Sequence, residues 1–299
     1  MEIQSWRRLE VLVKFWPNDY ESSWTLSSSV LKSGIGLHTG KKNEVRLLPF
    51  DQCGFHVSWI GSNEKPVPLT IDYVRQSQLC TSLEIGTNRI STVEHLLAAC
   101  AGCGLTHVHI QFSGEEVPLL DGSAIEWVEA IKDAGLSKVE SSENFSFAID
   151  KPLVLNRGGS VITAIPAQRF TLIGIIDFPY RAIGKQIFEI ELTPERFVKE
   201  LAPARTFGFR DQIEHLKDSG LIKGGSLDNA LICDGDNWLN PPLRFHDEPI
   251  RHKLLDLIGD LSLVGFPKAQ VLVYKGSHGL HTDMAAELLK SSPKQKSLV

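Results

Sequence analysis

The chain has 299 residues, 42% hydrophobic and 22% charged, with 31 Lys and Arg against 36 Asp and Glu for a net charge of −5. That composition excludes global disorder and a general nucleic-acid coat, while leaving room for a local basic pocket that takes a phosphorylated metabolite. Five cysteines over this length are too few for a disulfide scaffold and suit a reducing compartment.

Residues 1–24 follow no clear period and read as an N-terminal extension. From Thr25 the pattern is strand-like, and Ser33-Gly34-Ile35-Gly36-Leu37-His38-Thr39-Gly40 reads as a glycine-rich loop. Strands are expected over 45–48 and 54–59, a helix over 91–101, a strand over 106–112, a turn at 118–122 and a helix over 123–134. The polar stretch 137–144 is the candidate linker. Strands near 145–149, 160–165 and 170–178 follow, then helices over 194–202, 210–219 and 249–264. A strand over 269–274, a His-containing loop, a helix over 283–289 and a tail over 291–299 complete the chain. The fold class expected is α+β, with two similar domains over 25–140 and 145–290, each packing helices against β-sheets. No apolar run approaches the roughly 18 residues that span a bilayer, and no secretory signal is visible. A cytoplasmic location is expected, with organelle import left open.

Chemistry first shows in the helix that carries Arg251-His252-Lys253-Leu254-Leu255-Asp256 and Asp260. Spaced by four, His252, Asp256 and Asp260 drift only about 40° apart per step and form one polar stripe, with Leu254, Leu257, Ile258 and Leu261 on another face. A His and an Asp one turn apart can bind one metal ion; a solvated pair at the same spacing explains them equally. Glu94-His95 at a helix start offers a base beside a ligand, but Ser91-x-x-Glu94 is also a capping-box pattern. His278 stands just past a buried strand, either as a catalytic group or as an exposed loop histidine. Ala204-Arg205-Thr206-Phe207-Gly208-Phe209 puts a hydroxyl among aromatics, facing a substrate or simply ending a strand. Cys100-Ala101-Gly102-Cys103 lacks a second pair and reads as packing. His107 and His109 share a strand face with no carboxylate near in sequence, and Ser33 to Gly40 lacks the Lys-Ser or Lys-Thr ending of a phosphate loop.

Taken together and in order, these segments resemble the UDP-3-O-acyl-N-acetylglucosamine deacetylase family, over roughly residues 25 to 290. The carriers are Ser33 to Gly40, Ser91-Thr92-Val93-Glu94-His95-Leu96, Val117-Pro118-Leu119-Leu120-Asp121-Gly122-Ser123-Ala124, Ala204 to Gly208, and Gly224-Gly225-Ser226-Leu227-Asp228-Asn229-Ala230. Arg251-His252-Lys253 with Asp256 and Asp260, and Lys275 with His278, complete them.

The resemblance implies a zinc-dependent amide hydrolase of lipid A biosynthesis, its active site between the two halves. His95, His252 and Asp256 would hold Zn²⁺, with Fe²⁺ tolerated. Glu94 would act as base, and Thr206 would face the developing oxyanion. His278 would act as acid or fixed charge, Asp260 would orient it, and Lys253 would add a cation. The substrate implied is UDP-3-O-acyl-N-acetylglucosamine. Phe178 would stack on uracil, Lys275 would meet the diphosphate, His38 would touch the sugar nucleotide, and Phe207 and Phe209 would open an acyl tunnel running to Ile222. No nucleic-acid partner is implied, and a monomer is expected. Residues 1–24 lack a counterpart, and Lys275-Gly276-Ser277-His278 departs from relatives with Gly directly before the His. The rivals are a zinc hydrolase of another amide and an inactive relative that binds a nucleotide-sugar.

Overall fold

Alternation of inward apolar and outward polar side chains builds two sheets from two successive stretches of chain. In the computed structural model, which describes residues 15–75, 77, 79–141 and 145–292, the first sheet contains β1 (Val30–Ile35), β2 (Lys42–Pro49), β3 (Gly54–Trp59), β4 (Val67–Pro68) and β5 (His107–Phe112). The second contains β6 (Leu153–Arg157), β7 (Ser160–Pro166), β8 (Thr171–Asp177), β9 (Lys185–Glu191) and β10 (Phe266–Tyr274). Strand order is β1-β2-β5-β3-β4 in one and β6-β7-β10-β8-β9 in the other. In each, the last strand enters the middle, antiparallel to one neighbour and parallel to the other. The chain is thus α+β with one topology used twice. Ser146–Ala148 adds a short parallel strand beside the start of β10.

Four helices repeat the same order: α1 (Glu94–Gly102), α2 (Ile125–Ala134), α3 (Glu248–Leu261) and α4 (His278–Ser291). α1 and α3 precede the central strands; α2 and α4 follow them. All nine residues of α1 are buried; after Glu94 and His95 the remaining seven are apolar or small, as expected of a helix with no solvent face. It packs against α3, and one hydrophobic core runs through both halves, including Leu96, Trp127, Leu257, Ile258 and Met284. A small three-stranded sheet also precedes α1, built from Val74–Arg75, Ser82–Ile85 and Asn88–Ser91, and another precedes α3, built from Phe207–Phe209, Leu231–Asp234 and Asn237–Trp238.

Several local expectations change. The described part of the extension is packed: Trp16 and Tyr20 are buried, and the Tyr20 hydroxyl donates to the Gly102 carbonyl. Ser23–Leu26 pairs with Leu136–Val139, so the first three residues of the expected linker are strand; residues 1–14, 142–144 and 293–299 lie outside the described residues. Ser33 to Ile35 belong to β1, and only the turn beyond them is loop. The last helix begins at His278, not at 283, because the Ser277 hydroxyl accepts the Leu280 N–H and caps it. Cys100 and Cys103 are buried and free, and burial pushes the Cys100 thiol up to about 12, consistent with a packing role. No helix among the described residues is long and apolar enough to cross a membrane.

Candidate active site

The contact of α1 with α3 brings His95, from one half, onto the polar stripe of α3 in the other. Asp256 Oδ1 lies 3.5 Å from His95 Nε2 and 3.3 Å from His252 Nε2. All three side chains are buried, and one ligand atom from each lies within 4.8 Å of the others. The second oxygen, Oδ2, accepts a 2.8 Å bond from Lys253 Nζ, whereas the enclosed Oδ1 has no hydrogen-bond partner. His252 Nδ1 donates to the Ala204 carbonyl at 3.1 Å, which leaves the Nε2 lone pair facing the cluster. Burial, against the pull of Asp256, lowers the His252 pKa to about 3, so the ring is neutral. Burial raises Asp256, but the Lys253 ammonium bonded to it outweighs this and holds the carboxyl well below its ordinary range. A neutral imidazole, a second imidazole and a carboxylate with one orphaned oxygen form a donor set that fits a divalent cation.

Beside it lies a second buried network. Glu94 does not close a capping box: Ser91 ends a strand, its hydroxyl accepts from Ser82, and Glu94 Oε2 instead accepts the Thr81 N–H at 3.0 Å. Burial raises the Glu94 pKa, opposed chiefly by the charge of His278. Asp260 is fully buried. Its Oδ2 meets His278 Nδ1 at 3.0 Å and His281 Nδ1 at 2.9 Å, while Oδ1 accepts a short bond from the Thr81 hydroxyl. Burial disfavours the His278 imidazolium, but the Asp260 and Glu94 carboxylates prevail and push its pKa up to about 9.

A cavity of about 580 Å³ opens over both networks. Glu94, His95, Thr206, His252, Lys253, Asp256 and His278 reach its wall, as do Phe178, Phe207 and Phe209, whose rings contact one another. Asp260 stands behind His278. Two of the substrate-contact residues expected from the sequence are elsewhere. Leu37, not His38, faces the cavity, and His38 is buried with neither ring nitrogen partnered. Lys275 pairs with Asp177 at 3.3 Å and is not on the wall. On this segment the lining stops at Phe209: Ile213, Leu216, Leu221 and Ile222 do not reach the cavity, so the tunnel expected to run to Ile222 is not formed by them. Thr81, His281 and Glu116 escaped the sequence. Glu116 holds the glycine-rich turn by accepting from the His38 and Thr39 N–H groups and from the Thr39 and Thr92 hydroxyls. A Cβ at Gly36 would lie 2.3 Å from its Oε2, which is the physical reason for that glycine. Thr92, Leu120 and Lys275 adopt φ of 59°, 57° and 53°, strained values for such residues that flank the site.

The two networks place a donor set that fits a cation and two titratable groups with shifted pKa, the Glu94 carboxyl and the His278 imidazole, within one cavity. This fold with this site defines a metal-dependent hydrolase. The model of the family described as LpxC, UDP-3-O-acyl N-acetylglycosamine deacetylase, matches residues 23–290. A UDP-3-O-acyl-N-acetylglucosamine deacetylase from Nostoc sp. is 47% identical over 275 residues, covering 90% of this chain and 98% of the relative. One from Synechocystis sp. is 44% identical over 88% of this chain and 97% of the relative. A protein of Arabidopsis thaliana named probable UDP-3-O-acyl-N-acetylglucosamine deacetylase 1, mitochondrial, is 40% identical, covering 88% and 87%. The chain belongs to the LpxC family of deacetylases.

Proposed function

We propose that this chain hydrolyses the N-acetyl group of UDP-3-O-acyl-N-acetylglucosamine, releasing acetate and committing the product to lipid A biosynthesis. The observation that carries the proposal is the buried, unpartnered Asp256 Oδ1 beside two imidazole nitrogens, next to a desolvated Glu94. His95, His252 and Asp256 would hold Zn²⁺, with Fe²⁺ as the tolerated substitute. When bound, such an ion polarises the acetyl carbonyl and lowers the pKa of water to roughly 7.

The chain's own groups do the rest. Glu94, its proton affinity raised by burial, takes the proton of the attacking water. Thr206 donates its hydroxyl to the acetyl oxygen as charge gathers there. His278, kept charged by Asp260, gives a proton to the departing amine. Lys253 occupies Asp256 Oδ2 and so reserves Oδ1 for the ion. Phe178 offers a flat face to uracil, and Phe207 and Phe209 offer an apolar wall to the acyl chain. Lys275 reaches the diphosphate by exchanging Asp177 for it, and His38 supports the sugar-nucleotide end through its turn. The enzyme works as a monomer in the cytoplasm, and the mitochondrial naming of the Arabidopsis relative keeps organelle import open.

The test is acetate release from UDP-3-O-acyl-N-acetylglucosamine by the purified protein, its loss on chelation and its return with Zn²⁺. Glu94→Gln should keep the metal and lose roughly 10²- to 10⁴-fold in kcat. A fully metal-loaded wild type that releases no acetate overturns the proposal, as does a His95→Ala variant with unchanged metal content and rate.

A further inference from the structure

Thr81 contacts both proton-handling groups, although no role for it follows from the reaction. It precedes the strand Ser82–Ile85 in the first half and is 1% exposed. Its backbone is tied to the start of α1 twice: its carbonyl accepts the Val93 N–H, and its N–H donates to Glu94 Oε2 at 3.0 Å. Its hydroxyl then crosses to the other half and donates to Asp260 Oδ1, and the hydroxyl oxygen lies 3.3 Å from His278 Nδ1. One residue therefore supplies a donor to Glu94 and a donor to the carboxylate that holds His278.

The partners of Asp260 make the hydroxyl matter. Its Oδ2 is shared by two imidazoles, His278 and His281. Those two bonds alone leave the carboxylate free to swing about that oxygen, and a donor on Oδ1 removes that freedom. Asp260 lies 179 residues from Thr81, so no local turn supplies the bond.

We infer that Thr81 is a positioning residue for the deacetylation, clamping Glu94 and the Asp260–His278 pair in one mutual geometry across the two halves. The inference rests on the roles proposed above for Glu94 and His278. Thr81 lines the cavity, but its hydrogen bonds go to Glu94, Val93, Asp260 and His278 and to none of His95, His252 and Asp256, so its loss should act on kcat and spare KM.

Thr81→Val keeps the shape and the backbone N–H and removes only the hydroxyl; Thr81→Ala adds no atom and repeats the test without a branched side chain. Rates are measured per mole of bound Zn²⁺, so that unfolded protein does not count. Both variants should lose about 10- to 100-fold in kcat, the size expected when catalytic groups shift by up to an ångström, with KM unchanged. Thr81→Ser, which restores the hydroxyl, should recover most of the rate. A kcat per bound metal equal to wild type in either variant overturns the inference, and so does a loss that Thr81→Ser fails to repair. A wild type without deacetylase activity would instead sink the proposed function itself.

Discussion

Gly259 of α3 sits directly on the backbone of Glu94: a Cβ built at Gly259 would lie 2.1 Å from the Glu94 carbonyl oxygen. The residue that must approach is thus one position from Asp260, and the residue approached is one position from His95. The donor set and the Glu94–Thr81–Asp260–His278 hydrogen-bond network both depend on how closely the two helices cross.

Gly259→Ala should separate α1 from α3, because a backbone oxygen cannot step aside as a flexible side chain does. Overpacking of this kind costs about 1–3 kcal/mol. A lower Tm and weaker Zn²⁺ binding are expected together, by thermal melting and metal titration. A variant that melts and binds as wild type does would show that the crossing tolerates a methyl group.

The α3 stripe was legible because helical spacing alone puts His252 and Asp256 on one face. That His95 joins them was not readable from spacing, since the approach of α1 depends on a glycine 164 positions further along. The strands alternate clearly where one face is buried, as in β10. β9 escaped because Ile187 on its outer face is exposed and blurs the alternation. His281 stands three residues after His278, a helical neighbour once Ser277 is recognised as the cap, and was hidden by starting the helix five residues late. Thr81 had no signal at all, because half of its action is a backbone N–H, which every residue except proline possesses.

His278 gives a pH prediction with a definite sign. Its pKa is about 9 in the fold, against about 6.5 in an unfolded chain. A raised value means that the ion pair with Asp260 stabilises fully below about pH 6.5 and is lost as pH rises through about 9. In metal-free protein, the His278 ring resonance should titrate near 9 by NMR. Unfolding free energy should fall across that window in the wild type, and this component should be absent from His278→Gln. Titration at the ordinary imidazole value would show that Asp260 does not hold the proton.

The Arg205–Glu248 pair supports the site from the N-terminal end of α3. Glu248 is fully buried and accepts from the Arg205 guanidinium at 2.9 and 3.2 Å and from the N–H groups of Arg205 and Arg244. It therefore fixes the strand of chain whose Ala204 carbonyl orients His252 and whose Thr206 lines the cavity. Glu248→Gln leaves a mostly buried guanidinium without its anion, a change that costs about 3–5 kcal/mol in such pairs. Loss of the orienting carbonyl should also weaken metal binding by roughly 10-fold or more. Denaturant unfolding and Zn²⁺ competition titration read the two effects separately. Reduced stability with unchanged metal affinity would mean that His252 keeps its orientation without the Ala204 carbonyl being held by this pair.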